Sequence, residues 1–425
     1  MVPPVSREAA VAATRCSVRR GLGGGRLVRR WLALVVGRDR IAAWSQMTQQ
    51  GAPQLPALAF LGPFYRGAAR VGGLLGGVLA GANAEAVDLP GDRADVMYHS
   101  FIGGGVVANG PAVLVRKSLE DVVSLSAFNY VDSVSNASID VVTTASPYKE
   151  TRVETGVGLD YVYRDALISL TASTSREPDY VADSASIDLA QDYFGGMTTV
   201  SIGYSKGWDT VGKHNDPSFS APANHWQYRL GATQILTPRW LVSLNTEAIA
   251  DEGYLQSPYR VARVFGAAVP EVDPSTRTSR AATLRLTGSV GAQGAVHAQY
   301  RYFWDTWDIH AGTEEVGYSQ YAGKRWLLDG FVRHYSQNHA SFYSDNFTSE
   351  MTYMSRNRQL STFNDLGLGA KASYSMIREP GRYEIKFNAA YEWIRFHYND
   401  FTDIRTGQLY SFNANVVELF FSATF

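Results

Sequence analysis

Residues 383–393 read YEIKFNAAYEW. In an extended chain, successive side chains point to opposite sides. Tyr383, Ile385, Phe387, Ala389, Tyr391 and Trp393 therefore share one face, and Glu384, Lys386, Asn388 and Glu392 share the other. A strand with ionised groups behind an apolar row separates a wet medium from an apolar one. The period recurs in LISLTAS (167–173), where Ile168, Leu170 and Ala172 oppose Ser169, Thr171 and Ser173. In TVSIGYS (199–205), Val200, Ile202 and Tyr204 oppose Ser201, Gly203 and Ser205.

Working outward, sixteen such segments follow at about 94–104, 111–119, 122–133, 151–164, 167–176, 183–194, 197–208, 224–236, 239–250, 278–290, 294–304, 311–321, 325–337, 358–375, 383–398 and 411–425. The connections alternate in length. Short ones are SLED, Arg164–Asp165, FGG, TPR, GAQG, YAGK and REPG; long ones cover 134–150, 209–223, 251–277, 338–357 and 399–410. Short turns at one end and long loops at the other are the pattern of a bacterial outer-membrane barrel. The expected fold is all-β: a transmembrane, antiparallel, up-and-down β-barrel of about 16 strands, within 14–18 given the imprecision of sequence-based boundaries. Both termini are expected in the periplasm, with outer-membrane lipid around the wall. A soluble sandwich or propeller fits less well, because so many long strands in one soluble domain are unusual and no fixed-length repeat is present.

The C-terminal strand reads NVVELFFSATF, placing Val417, Leu419, Phe421 and Phe425 on one face and ending on the aromatic. This resembles the signal recognised by the barrel-assembly machinery. Tyr161, Tyr163, Trp240, Trp326 and Trp393 near strand ends suit the membrane interfaces, where amphipathic rings collect.

The N-terminal part is different. Residues 1–86 hold eleven arginines, no lysine and three acids, whereas 87–425 carry 28 basic and 37 acidic residues. Arg66 and Arg70 precede the apolar run VGGLLGGVLA (71–80), and small residues follow to Ala86. That is a secretory signal over 47–86, cleaved near Ala86 or Ala84. Residues 1–46 fit an over-extended start or a disordered leader, and 87–425 form the barrel. The one cysteine, Cys16, lies in the leader. A disulfide scaffold is thereby excluded.

The barrel region resembles a family of uncharacterised bacterial outer-membrane β-barrel proteins, DUF3570. The resemblance rests on LPGDRADVMYHSFIGGGVVANGPAVLVRKSL (89–119), SNASIDVVTTASPYKE (135–150), YFGGMTTVSIGYSKGWDTVG (193–212), LTPRWLVSLNTEAIADEGYLQSPYR (236–260) and YRYFWDTWDIHAGTEEVGY (300–318). It implies a barrel without an assigned activity or site. Through the family's gene neighbourhoods it also implies a periplasmic lipoprotein or a flavin or thiol redox protein as partner.

By alternation the lumen should be lined by Asp160, Asp188, Arg229, Arg285, Arg301, Asp329, Arg333, Lys386 and Glu392, joined by Asn245, His297, Gln299, Glu384 and Glu418. Opposed charges could define an ion path or could be wall ion pairs that stiffen the barrel. The segment 137–150 could fold inward as a constriction or extend a strand above the membrane. No H-E-x-x-H spacing occurs, GGG at 103–105 lacks the lysine and helix of a phosphate loop, and no Ser–His motif is recognisable. No enzyme, cofactor or metal site is expected, and Asp305, Asp308, His310, Glu314 and Glu315 read as a solvated rim. The acidic barrel region argues against nucleic acid. The expected function is a porin-like channel for small polar or ionic solutes; the alternative is an anchoring barrel without transport.

Overall fold

The computed structural model describes residues 89–120, 122–136, 138, 148–214 and 216–425. The expected leader, signal segment and cleavage site lie outside the described residues, as does nearly all of the 137–147 stretch considered for a constriction.

Sixteen antiparallel strands close into one barrel. They are β1 (Arg93–Gly103), β2 (Val106–Leu119), β3 (Val123–Asn136), β4 (Tyr148–Tyr163), β5 (Ala166–Glu177), β6 (Tyr180–Tyr193), β7 (Thr198–Gly212), β8 (Ser220–Thr237), β9 (Trp240–Gly253), β12 (Thr276–Val290), β13 (Gly294–Asp305), β14 (His310–Ala322), β15 (Trp326–Gln337), β16 (Phe363–Glu379), β17 (Tyr383–Asp403) and β18 (Gln408–Thr424). β10 (Val261–Val264) and β11 (Ala267–Pro270) form a separate hairpin in the β9–β12 connection. Each barrel strand pairs with its chain neighbours, and β1 closes the ring on β18, Arg93 opposite Thr424 and Gly103 opposite Ala414. Closure leaves no strand edge unpaired, the condition for crossing lipid with strands.

The alternation sets inside from outside. Val316 is 61% exposed and Leu230 55%, while Glu315 and Glu392, on the opposite faces of their strands, are 2% exposed. Apolar rows thus point outward and polar or charged rows inward over most of the wall, while near the loop rim aromatic and aliphatic residues such as Phe101, Ile394 and Phe396 turn inward and Arg395 and His397 outward. Tyr161, Tyr163 and Trp326 stand on the outer face near the short turns. Val417, Leu419, Phe421 and Phe425 are also exposed on the outside. The Phe425 amide donates to the Asp92 carbonyl at 3.1 Å, tying the chain end to the start of β1.

All sixteen expected segments are present, with shifted ends. The short turns at one rim fall where the sequence places them. At the other rim, four connections are tight, at 104–105, 178–179, 306–309 and 404–407. The expected long loop at 399–410 is therefore corrected to a tight turn, because β17 runs on to Asp403 and pairs it with Gln408. The segment expected as strand from 358 begins instead with a 3-10 turn, Arg358–Leu360. Asn357 accepts the Gln359 amide there, and Leu360 is buried, so the chain turns inward before β16 starts.

Candidate functional site: the inner wall and its cap

The charged inner residues are organised as pairs that skip a strand. Arg333 on β15 donates through Nη2 to Glu392 Oε1 on β17 at 2.6 Å. Arg229 on β8 donates through Nη2 to Asp188 Oδ1 on β6 at 2.6 Å. Arg301 on β13 reaches Glu247 on β9 at 2.5 Å, and Arg116 on β2 approaches Asp160 on β4 at 3.7 Å. In each case the skipped strand offers a small residue beneath the pair. Gly203 lies opposite both Asp188 and Arg229 in register, and a Cβ there would sit 2.0 Å from Asp188 Oδ1. Gly367 does the same for Arg333, a Cβ there falling 2.9 Å from Glu392 Oε1. Under Arg301–Glu247 the small residues are Thr283 and Ala281, and under Arg116–Asp160 they are Ser126 and Ser124.

Of the other expected lumen residues, Arg285 faces Glu315, which also meets His297 Nε2 at 3.1 Å. Asp329 sits opposite Lys371 in register, and Lys386 pairs with Glu384 at 3.0 Å. The expected residues are thus brought together locally along the wall; the ion pairs described join nearby strands and do not span the lumen. A charged side chain costs several kcal/mol to desolvate unless paired, and strand-skipping pairs meet that need.

Nearer the loop rim, two further networks appear that sequence reading missed. His225 on β8 is clasped between Asp209 (2.9 Å from Nε2) and Asp251 (2.7 Å from Nδ1), with the Tyr180 hydroxyl donating to Asp209. Only an imidazolium donates from both ring nitrogens. His99 on β1 meets Asp132 at 2.8 Å, and Arg152 bonds Asp132 at 2.5 Å and Glu154. The residue types and inward parity were legible, but their convergence depends on register between strands distant in sequence.

The hairpin considered as a polar rim separates by face. Asp305 is buried and bonds Arg277, while Glu314 and His310 point outward, Glu314 meeting His334 at 2.9 Å. Elsewhere at the loop rim, Glu150, Glu177 and Asp179 bring ligand atoms within 4.8 Å of one another. Asp179 there accepts from the Tyr259 hydroxyl at 2.5 Å.

Above the charged wall, the β15–β16 connection (338–362) and the β9–β12 connection (254–275) form one cap. Val272 and Met354 exchange backbone hydrogen bonds at 3.0 and 2.9 Å, and Phe265 N donates to Phe347 O at 2.9 Å. Phe342, Tyr343 and Leu360 of the first connection share a buried apolar cluster with Tyr180, Val211 and Ala223 of β6–β8. β6 and β16 occupy opposite positions in the ring of sixteen. The 338–362 connection therefore crosses the mouth. On its home side the Tyr343 hydroxyl donates to the Asp400 carbonyl at 3.0 Å, and burial pushes that phenol far above its ordinary pKa. Arg356 is the hub: its guanidinium donates to the Thr402 carbonyl at 2.6 Å and the Asp345 carbonyl at 3.0 Å, meets the Asp345 carboxylate at 2.7 Å, and lies 4.4 Å over the Phe401 ring. Its amide donates to Glu271 at 2.8 Å, joining the two connections. Burial, then the neighbouring Glu271 carboxylate, raises Asp273 well above the ordinary aspartate range. Beneath the cap, Phe101, Phe363, Phe396, Tyr398 and Phe401 form a second buried apolar cluster on the inner face of β1, β16 and β17.

The model of a family described as "Protein of unknown function (DUF3570)" matches residues 93–224 and 214–392. The chain belongs to this family. No curated protein matches it. Among solved structures, the DUF3570 chain is similar to the CymD monoaromatic hydrocarbon channel at 12% identity, covering 87% of this chain and 98% of that one, with a TM-score of 0.40. It is similar to Pseudomonas aeruginosa OpdK, solved with vanillate, at 9% identity, covering 78% and 98%, with a TM-score of 0.41. Against the siderophore receptor PirA of Acinetobacter baumannii the identity is 11% and the TM-score 0.40, and the match covers 76% of this chain but 57% of the receptor. The chain thus spans little more than half of that receptor's length. Scores at this level carry no solute or activity over to the DUF3570 chain.

Proposed function

We propose that this DUF3570 chain is an outer-membrane barrel whose charged lumen is a path for small polar or ionic solutes, shut in this conformation by the cap. One observation carries the proposal: a closed ring of sixteen strands presents apolar side chains outward and ionised side chains inward. An apolar outer wall belongs in lipid, and a ring of this size is wide enough for an aqueous lumen unless something fills it. Here the cap crosses the mouth above the aromatic cluster. The cap is held by Arg356, the Tyr343–Asp400 bond, backbone bonds and the apolar cluster against β6–β8, contacts made by the two connections and not part of the ladder that closes the wall. Export by a signal over 47–86 and insertion by the barrel-assembly machinery would leave both termini and the short turns in the periplasm, with the cap outside.

A second function is favoured by the near-complete burial of the inner charges, Glu392 at 2% and Arg333 at 6%. A barrel so tightly lined would serve as an anchor for a periplasmic lipoprotein or a flavin or thiol redox protein. Single-channel recording separates the two. Protein extracted from the membrane should give small or infrequent steps as wild type and larger steps as Arg356→Ala, which frees the cap. No current from either, with both verifiably folded, would remove the path and leave the anchor.

A further inference from the structure

On the outer face of β17 the apolar row runs from Tyr383 to Trp393 and then breaks to Arg395 and His397, both exposed. The neighbouring strands break at the same level. On β16 the change falls between Leu366 and Asn364, on β15 between Val332 and His334, and on β18 between Val417 and Asn415. The stretch Tyr383–Trp393 matches the about 9–11 residues that a tilted strand needs to cross the hydrocarbon layer. Arg395 and His397 therefore stand just beyond the apolar band, at the headgroup level on the loop side.

Arg395 is held by neutral partners. Its guanidinium donates to Asn413 Oδ1 and to Ser411 Oγ on β18, both at 3.2 Å. His397 lies opposite Ser411 on β18 and Asn364 on β16 in register. Asn415, the next outward residue below Asn413, accepts the Tyr391 hydroxyl at 2.7 Å. Acids nearby are turned to other groups. Asp400 accepts the Thr362 amide, Asp403 is bonded to Arg405, and Glu314, outward on β14, meets His334 at 2.9 Å. Among the described residues, the outward positions of β1–β3 and β16–β18 in this half of the wall carry no acid. Arg176 and Arg280 also point outward toward the loop rim, but their register neighbours are apolar: Val153 and Val181 for the first, Ala248 and Trp304 for the second.

An exposed guanidinium bonded only to neutral acceptors keeps its whole charge and has N–H groups left for an anion. At this level, with lipid tails directly below, the anion that fits is a headgroup phosphate. The amides and hydroxyls around it match the hydroxyls of a sugar. We propose that Arg395 and His397, with Asn364, Ser411 and Asn413, form a site on the outer wall for a phosphorylated glycolipid of the outer leaflet. The inference rests on the membrane reading above, with the loop rim outside, and is independent of whether the lumen conducts.

The test uses full-length protein extracted from the membrane and stripped of lipid in detergent. It is titrated with a bisphosphorylated glucosamine-disaccharide lipid, with the phosphate-free form of that lipid, and with phosphatidylglycerol, and the urea midpoint is followed. The bisphosphorylated lipid should raise the midpoint at concentrations several-fold below the other two. Arg395→Gln with His397→Gln should abolish that preference, and Arg280→Gln should keep it. Heat-modifiable gel mobility checks that each variant is folded. No preference over the phosphate-free lipid, or none over phosphatidylglycerol, would overturn the inference. So would a preference unchanged in the folded double variant. Orientation is read separately, by labelling Thr406→Cys in a Cys16→Ser background with an impermeant maleimide on intact cells. Labelling is expected, since Thr406 lies in the turn above Arg395. Its failure overturns the membrane reading, and the outer-leaflet assignment with it, even where the lipid preference in detergent is found.

Discussion

Arg333 on β15 bonds Glu392 on β17 at 2.6 Å by passing over Gly367 of the strand between them. The same construction joins Arg229 to Asp188 over Gly203. Buried charges on a barrel wall are thus neutralised by partners two strands away, and the intervening strand must carry a small residue for the pair to close. The inner wall is consequently a stiff lattice of ion pairs.

Gly367→Ala should weaken the barrel. The new Cβ would lie 2.9 Å from Glu392 Oε1 and 3.3 Å from Arg333 Nη2, so the pair must move. Crowding of this kind costs about 1–3 kcal/mol. Gly207→Ala is the control, since its nearest neighbour, His225 Cβ, is 3.5 Å away and no shift is required. Urea midpoints of the two variants in detergent, followed by gel mobility, should separate clearly, with Gly207→Ala close to wild type.

Glu392→Leu should be worse than removing the whole pair. It leaves the Arg333 guanidinium buried without its acceptor, a loss of about 3–5 kcal/mol, whereas the apolar double variant Arg333→Met with Glu392→Leu should cost less than the summed single changes. A double-mutant cycle on unfolding free energies measures this. Additive single changes would mean that the two side chains do not sense each other.

Deleting Phe425 should lower the yield of folded barrel in the membrane. Its ring is 53% exposed on the outer wall, with the Lys117 ammonium 5.3 Å from its centroid, and its amide closes the chain end onto Asp92. Phe425→Trp should retain assembly. The fraction of heat-modifiable protein in membrane extracts reports both.

The cap should tighten as pH falls. Asp273 lies in the β11–β12 connection, where burial and Glu271 raise its folded pKa well above the ordinary value, with Arg260 and Ser355 opposing. An acid with a raised folded pKa takes up a proton on folding. Its contribution to stability therefore falls as pH rises from about 4 through that raised value. Protease cleavage within 254–275 should be slower near pH 5 than near pH 8, as judged over about that interval, and Asp273→Asn should flatten the difference.

Much of the fold was legible because a two-residue period records which face meets lipid. Tyr391 and Glu392 announce the outside and the inside of β17 without any neighbour being known. What the period does not record is register between strands far apart in the chain. Hence Glu392 and Arg333 were each recognisable as inner residues but their pairing was not, and the His225 clasp between Asp209 and Asp251 was invisible. One clue stood in the sequence: glycines at inner positions, such as Gly203 and Gly367, mark where long side chains cross. The cap escaped for another reason. Residues 338–357 lack any period, and the place of the connection over the mouth comes from apolar side chains such as Phe342 and Leu360 finding β6–β8 on the far side of the ring.

The cap as gate is the centre of this account, and a reversible lock tests it most directly. Val272 and Met354 form an antiparallel bridge, a separation that a disulfide can span, and the chain's one cysteine, Cys16, precedes β1 in the sequence and can be replaced by serine. Val272→Cys with Met354→Cys should pass current when reduced and fall silent when oxidised, recovering on addition of a thiol. Equal current in the two states would show that the cap does not close the path.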